Sequence, residues 1–171
     1  MSCPSWVLSG SWALFVGKGT RVTIVHHTGL CPADFDAALA FYRDGIGLDV
    51  LVDTVLEGDM EPLLGMRTTK VRTVFLGDSD NRGGGILELL DVGSDDVTAG
   101  PPQTGLPTRG LFLISLQVDV ETVLARLAEL GLGGVPRRMT MPNGDLLAAS
   151  VVDPDGVTVE LLHAGRPVLG G

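Results

Sequence analysis

Two stretches of this chain end in nearly the same text. Ile86-Leu-Glu-Leu-Leu90 and Thr158-Val-Glu-Leu-Leu162 each set a glutamate in an apolar strand pattern. The text ahead of them also runs in step. In the first stretch, a β-branched run from Val22 to Leu30 leads to Pro32 and Asp34, with Asp34 placed to cap a helix. Phe35, Ala38, Leu39, Tyr42 and Ile46 form one apolar helical face, and Gly45 and Gly47 can end it. Strand-like runs follow at Asp49 to Val55, Val71 to Leu76 and Ile86 to Leu90. In the second stretch, Leu111 to Val118 reads as a strand and Asp119 as the cap of a helix. Its apolar face is Val120, Val123, Leu124 and Leu127, closed by Gly131. Runs at Val135 to Met141, Leu146 to Val152 and Val157 to Leu162 complete it, the last two joined by the turn Asp153-Pro-Asp-Gly156.

A long period with two copies indicates a duplicated module rather than a solenoid. The expected fold is therefore α+β, two βαβββ modules. The expected divisions are an N-terminal extension (1–20), a first module (21–92), a Gly- and Pro-rich linker (93–109), a second module (110–164) and a C-terminal tail (165–171). The extension carries an apolar stretch from Trp6 to Val16 with no counterpart ahead of the second module. It lacks the basic start of a secretory signal.

Composition narrows the function. Hydrophobic residues at 44% suffice for a real core, which excludes disorder as the main state. A net charge of −9 without a basic patch argues against nucleic acid or an anionic membrane as partner. No apolar run is long enough to span a bilayer. Cys3 and Cys31 are far apart and form neither a CxxC nor a zinc-ribbon spacing, so a reducing cytoplasm is the expected compartment.

Three pieces in order carry a family resemblance: His27-Thr-Gly-Leu30 before Asp34; Ala40-Phe-Tyr-Arg-Asp44 with Gly47-Leu48; and Asp153-Pro-Asp-Gly156 leading to Val159-Glu-Leu-Leu162. Together they resemble the vicinal oxygen chelate superfamily. That group includes glyoxalase I, methylmalonyl-CoA epimerase, extradiol dioxygenases, fosfomycin-modifying enzymes and bleomycin-binding proteins. The resemblance spans Arg21 to Ala164 and implies eight strands forming a half-open, barrel-like cleft.

It also implies a site. The family's metal positions match His27 on the first strand, Glu88 on the fourth and Glu160 on the last. Such a set suits a divalent Zn, Ni, Co, Mn or Fe ion. Alternation puts Ile86, Glu88 and Leu90 on one face, and Thr158, Glu160 and Leu162 on one face. His26 is expected on the face opposite His27, and His163 has the wrong parity for the site. The chain departs from the pattern where the second-half ligand falls on Leu113, or on Phe112 with a one-residue shift. Neither side chain binds a metal.

That departure argues against extradiol dioxygenase chemistry, which needs two His and one Glu. It also leaves the site one ligand short of the four in a standard glyoxalase I, and the leading expectation is a metal-dependent lyase, isomerase or epimerase acting on a carbonyl compound. There a carboxylate, Glu88 or Glu160, removes a proton beside a polarised carbonyl. Two alternatives stand beside it: a metal-free protein that binds an antibiotic or another small molecule, and a metal-independent natural-product enzyme using the same cleft. A small-molecule substrate or ligand is the expected partner. A homodimer is expected by analogy with small members of the group.

Overall fold

The computed structural model describes residues 24–65, 67–93 and 110–164. The expected N-terminal extension, most of the linker and the tail lie outside the described residues. Within them the element order is β1 (His27–Leu30), α1 (Phe35–Leu39) running on as a π-helix (Ala40–Ile46), β2 (Asp49–Glu57), α2 (Glu61–Leu64), β3 (Lys70–Gly77) and β4 (Ile86–Asp91). The second module follows with β5 (Leu113–Val118), α3 (Val120–Glu129), β6 (Arg137–Thr140), β7 (Leu146–Val152) and β8 (Thr158–His163). The duplicated strand–helix–three-strand order is present, with the one-turn α2 inserted in the first copy.

Each module makes one four-stranded sheet. The orders are β1-β4-β3-β2 and β5-β8-β7-β6, and the sheets do not close into a barrel. In both, the first strand lies parallel to the last and the other pairs are antiparallel.

The helix starts follow their caps. The Ala37 N–H donates to Asp34 Oδ1 at 2.9 Å and the Thr122 N–H to Asp119 Oδ1 at 3.0 Å. These bonds satisfy donors that a first turn leaves unpaired. Gly47 ends the first helix in the left-handed region at φ 96°, where a Cβ would be strained. Gly45 has a different role: it sits buried within the π-helical stretch, and a Cβ there would run into the Leu127 side chain.

Both helices pack into one core. Phe41, Tyr42 and Ile46 from the first helix meet Val123, Leu124 and Leu127 from α3. Leu87, Leu89, Val74, Leu76, Val159 and Leu161 rise to them from the two sheets. The core residues of β4 and β8 alternate with Glu88 and Glu160, so each glutamate lies on the sheet face turned away from the helices.

Polar groups tie the modules as well. The buried Tyr42 hydroxyl donates to Asp153 Oδ2 at 2.8 Å. Asp153 Oδ1 accepts from the Asp155 and Val157 N–H groups at 3.0 and 2.7 Å, closing the predicted turn. Asp155 Oδ1 in turn accepts from the Ala33 N–H at 2.9 Å.

Candidate functional site

Strand register fixes what surrounds each glutamate. On the first sheet Glu88 sits beside Gly29 of β1 and Phe75 of β3. Thr73, one residue pair further along the same face, donates its hydroxyl to Glu88 Oε1 at 2.7 Å. The second carboxylate oxygen, Oε2, lies 3.4 Å from His27 Nε2. The Glu88 side chain is 13% exposed and that of His27 42%, so the pair opens to solvent through the imidazole. Phe75 stacks edge-on against the His27 ring at 5.7 Å between centroids, which limits where that ring can turn.

His26 departs from the expectation that it would face away. Its Nδ1 is 2.9 Å from Nδ1 of His27, and the rings meet edge-on. The reason is local. The β1 ladder begins at His27, so His26 is not held to strand alternation. Thr73, Glu88, His27 and His26 thus form a continuous polar chain from a buried hydroxyl to the surface. Thr73 had no marker in the sequence beyond its parity with Phe75.

On the second sheet Glu160 sits between Ser115 of β5 and Ser150 of β7. The Ser115 hydroxyl donates to Glu160 Oε2 at 2.7 Å. Register also resolves the departure at β5. Leu113 pairs with Thr158, as His27 pairs with Ile86, so Leu113 stands at the place His27 holds in the first module. His163 is on the other face, near Asp119, whose carboxyl is held below the usual range chiefly by the Thr122 N–H, with His163 adding to the effect.

The fold thus brings His27 and Glu88 together, while Glu160 makes its contact on the other sheet. Among the described residues no three His, Cys, Asp or Glu side chains are grouped to hold a metal ion. A catalytic ion usually keeps three protein ligands, and one chain's described donors supply two in one place. They do not fit a resident metal by themselves. A shallow cavity of about 260 Å³ lies elsewhere, against α3, lined by Leu124, Leu127, Leu132, Pro136 and Val151. It is on the helix side of the second sheet and includes none of the three site residues.

The paired modules agree with the comparisons. The chain matches the Glyoxalase/Bleomycin resistance protein/Dioxygenase superfamily over residues 24–161, and it belongs to that superfamily. It is 35% identical over 153 residues to the lactoylglutathione lyase-like protein terB of Aspergillus terreus (strain NIH 2624 / FGSC A1156), covering 85% of this chain and 76% of the relative. Among solved structures it resembles the trypanothione-dependent glyoxalase I of Leishmania major, with a TM-score of 0.56 and 26% identity over 83% of this chain and 87% of that one. It shares its fold with TnmS3, an antibiotic-binding protein of Streptomyces sp. CB03234, at a TM-score of 0.53 and 24% identity over 86% of this chain and all of that one (100%). Among the described residues no helix is long and apolar enough to cross a membrane.

Proposed function

We propose that this protein is a small-molecule enzyme, a lyase or isomerase that moves a proton at the carbon beside a carbonyl. The observation that carries this reading is the Thr73–Glu88–His27 arrangement. The Thr73 hydroxyl fixes one carboxylate oxygen of Glu88. The other oxygen is left beside a half-exposed imidazole, where a substrate can reach both. Glu88 takes the proton from carbon, and His27 Nε2–H steadies the oxygen on which charge develops. Stabilising the charge that develops on that oxygen lowers the barrier more than it strengthens substrate binding.

Glu160 is the matching acid of the second half-site. Both half-sites sit on sheet faces turned from the common core, and we propose that a second copy of the chain covers them in a homodimer. A metal-bound form is the alternative to the Nε2–H role: in such a dimer His27, its ligating nitrogen then without a proton, and Glu88 of one protomer, with Glu160 of the other, would hold a divalent Zn, Ni, Co, Mn or Fe ion, which would polarise the substrate carbonyl. Elemental analysis of untagged protein tests that reading directly. No step above runs through an ion.

The enzyme reading is tested by solvent exchange. Wild-type protein in deuterated water is expected to label the carbon beside the carbonyl in members of a panel of 2-hydroxy and 2-oxo compounds. Glu88→Gln should reduce labelling at least a hundredfold while leaving the fold intact. Labelling by the variant at the wild-type rate overturns the assignment. A panel that binds and is never labelled favours the small-molecule-binding alternative.

A further inference from the structure

The two sheets carry the same glutamate in different company. Across the first sheet the row through Glu88 reads Val52, Phe75, Glu88 and Gly29. Across the second the row through Glu160 reads Arg137, Ser150, Glu160 and Ser115. Directly paired strand residues project to one face, so these four polar groups stand side by side on the face away from the helices. Arg138, the next residue, points the other way and binds Glu121 of α3 at 3.0 Å. The two neighbouring arginines are therefore sorted by the sheet, one to the helix and one to the row of Glu160.

From this we infer that the row Arg137–Ser150–Glu160–Ser115 is a recognition site for a small 2-hydroxy carboxylate, with Arg137 holding its carboxylate. The inference rests on the enzyme reading above and names its substrate class. The chemistry follows the order of groups. A guanidinium presents five N–H donors in a fork that matches a carboxylate. A contact within the chain, which Arg137 has, is compatible with a second one to a ligand. Ser150, beside it, can donate to or accept from a hydroxyl on the adjacent carbon. Glu160 accepts a hydrogen bond from that hydroxyl, and Ser115 holds the Glu160 carboxylate in place. Arg137 and Glu160 are two strands apart, about 10 Å between backbones, and the arginine side chain covers most of that span. A ligand with charge but no hydroxyl, or a hydroxyl but no charge, uses half the row. The first sheet offers Val52 at the place of Arg137, so this selectivity belongs to the second module alone.

The test uses the full chain, labelled with nitrogen-15, and mandelate as the probe, with mandelamide as its uncharged counterpart. Mandelate is expected to shift the backbone amides of Arg137, Ser150 and Glu160, and mandelamide to bind at least tenfold more weakly. Arg137→Gln should weaken mandelate at least tenfold and leave mandelamide unchanged. Arg138→Gln should change neither. Arg137→Lys, which keeps the charge and loses the fork, should fall between. Equal binding of mandelate and mandelamide by the wild type overturns the inference without needing any variant. So does equal loss in the Arg137 and Arg138 variants, or the absence of shifts on β6 to β8. Mandelate that binds through Arg137, with neither it nor any other member of the 2-hydroxy and 2-oxo panel deuterated, leaves the recognition site standing and sinks the proton-transfer reading. Deuteration that persists undiminished in Arg137→Gln does the reverse.

Discussion

Tyr42 and Asp153 join the two modules through a buried hydrogen bond of 2.8 Å, the phenol donating to the carboxylate. Burial and the neighbouring Asp153 push the phenol far above its ordinary value, so it remains a donor at any working pH. Tyr42→Phe leaves the ring in the core and removes only the hydroxyl. The expected loss is about 1–3 kcal/mol, because Asp153 then keeps a buried oxygen without its partner. Urea denaturation followed by far-UV circular dichroism measures it. A midpoint unchanged from wild type would show that the bond contributes nothing net.

Asp153 also gives a dependence on pH. Burial raises its pKa above the ordinary aspartate range, against the hydrogen bonds that lower it. The folded chain therefore holds this proton more tightly than the unfolded one. Stability contributed at Asp153 falls as pH climbs from the ordinary range through the raised value, and is flat beyond it. Asp153→Asn keeps the shape and cannot ionise. Its stability relative to wild type is expected to improve as pH rises from about 4 to 7. Exposed Asp53 acts in the opposite direction. The Arg72 hydrogen bond lowers its pKa, and what it contributes is lost on acidification. Parallel melts of both proteins across that range check the sign at Asp153.

At Gly45 the first helix packs directly against Leu127 of α3. Alanine is ordinarily better in a helix by about 1 kcal/mol. Here its Cβ would meet Leu127, and overpacking of this kind costs about 1–3 kcal/mol. Gly45→Ala is expected to destabilise, and a raised melting temperature would contradict the close packing. Gly29→Ala is the contrasting case. Its Cβ would rest 3.5 Å from Leu90 and 3.8 Å from Glu88 Oε2, both ordinary contacts, so the fold should tolerate it.

Thr73 positions Glu88 without reaching the substrate. Thr73→Val keeps the buried volume and deletes the donor. The expected result is a fall in kcat of about tenfold, with KM nearly unchanged, as when an interaction made in the transition state is lost. Thr73→Ser should restore most of it. A rise in KM alone would mean that the threonine shapes binding instead.

The proposed homodimer is checked by sedimentation at micromolar concentration. A single species at the mass of one chain would refute it.

Much of this was legible from residue patterns. Asp34 and Asp119 announced the helix starts, and the matched Glu-Leu-Leu endings announced the duplication with both glutamates on corresponding faces. What the sequence could not carry was pairing across elements. Nothing in the text linked Tyr42 to Asp153, because their contact depends on how the first helix packs against the turn between β7 and β8. The first helix was read as one uniform stretch, and its π-helical second half sets Gly45 against α3. Alternation misplaced His26 because the strand starts at His27, well inside the run read from Val22. Counting from Asp119 left Leu113 and Phe112 as rivals, and only the pairing with β8 chose between them.

In each module the first strand is hydrogen-bonded along the last, with the helix and two further strands lying between them in sequence. Local contacts form sooner than contacts that close long loops. The β3–β4 and β7–β8 hairpins can therefore zip early, with Glu88 and Glu160 already carried on them. His27 and Ser115 arrive last, when the opening strand docks against the finished hairpin. A nascent or partly melted chain would hold its acids in place before it holds His27 and Ser115. The site is completed in the same event that seals each sheet, so a half-folded chain has no working centre to expose.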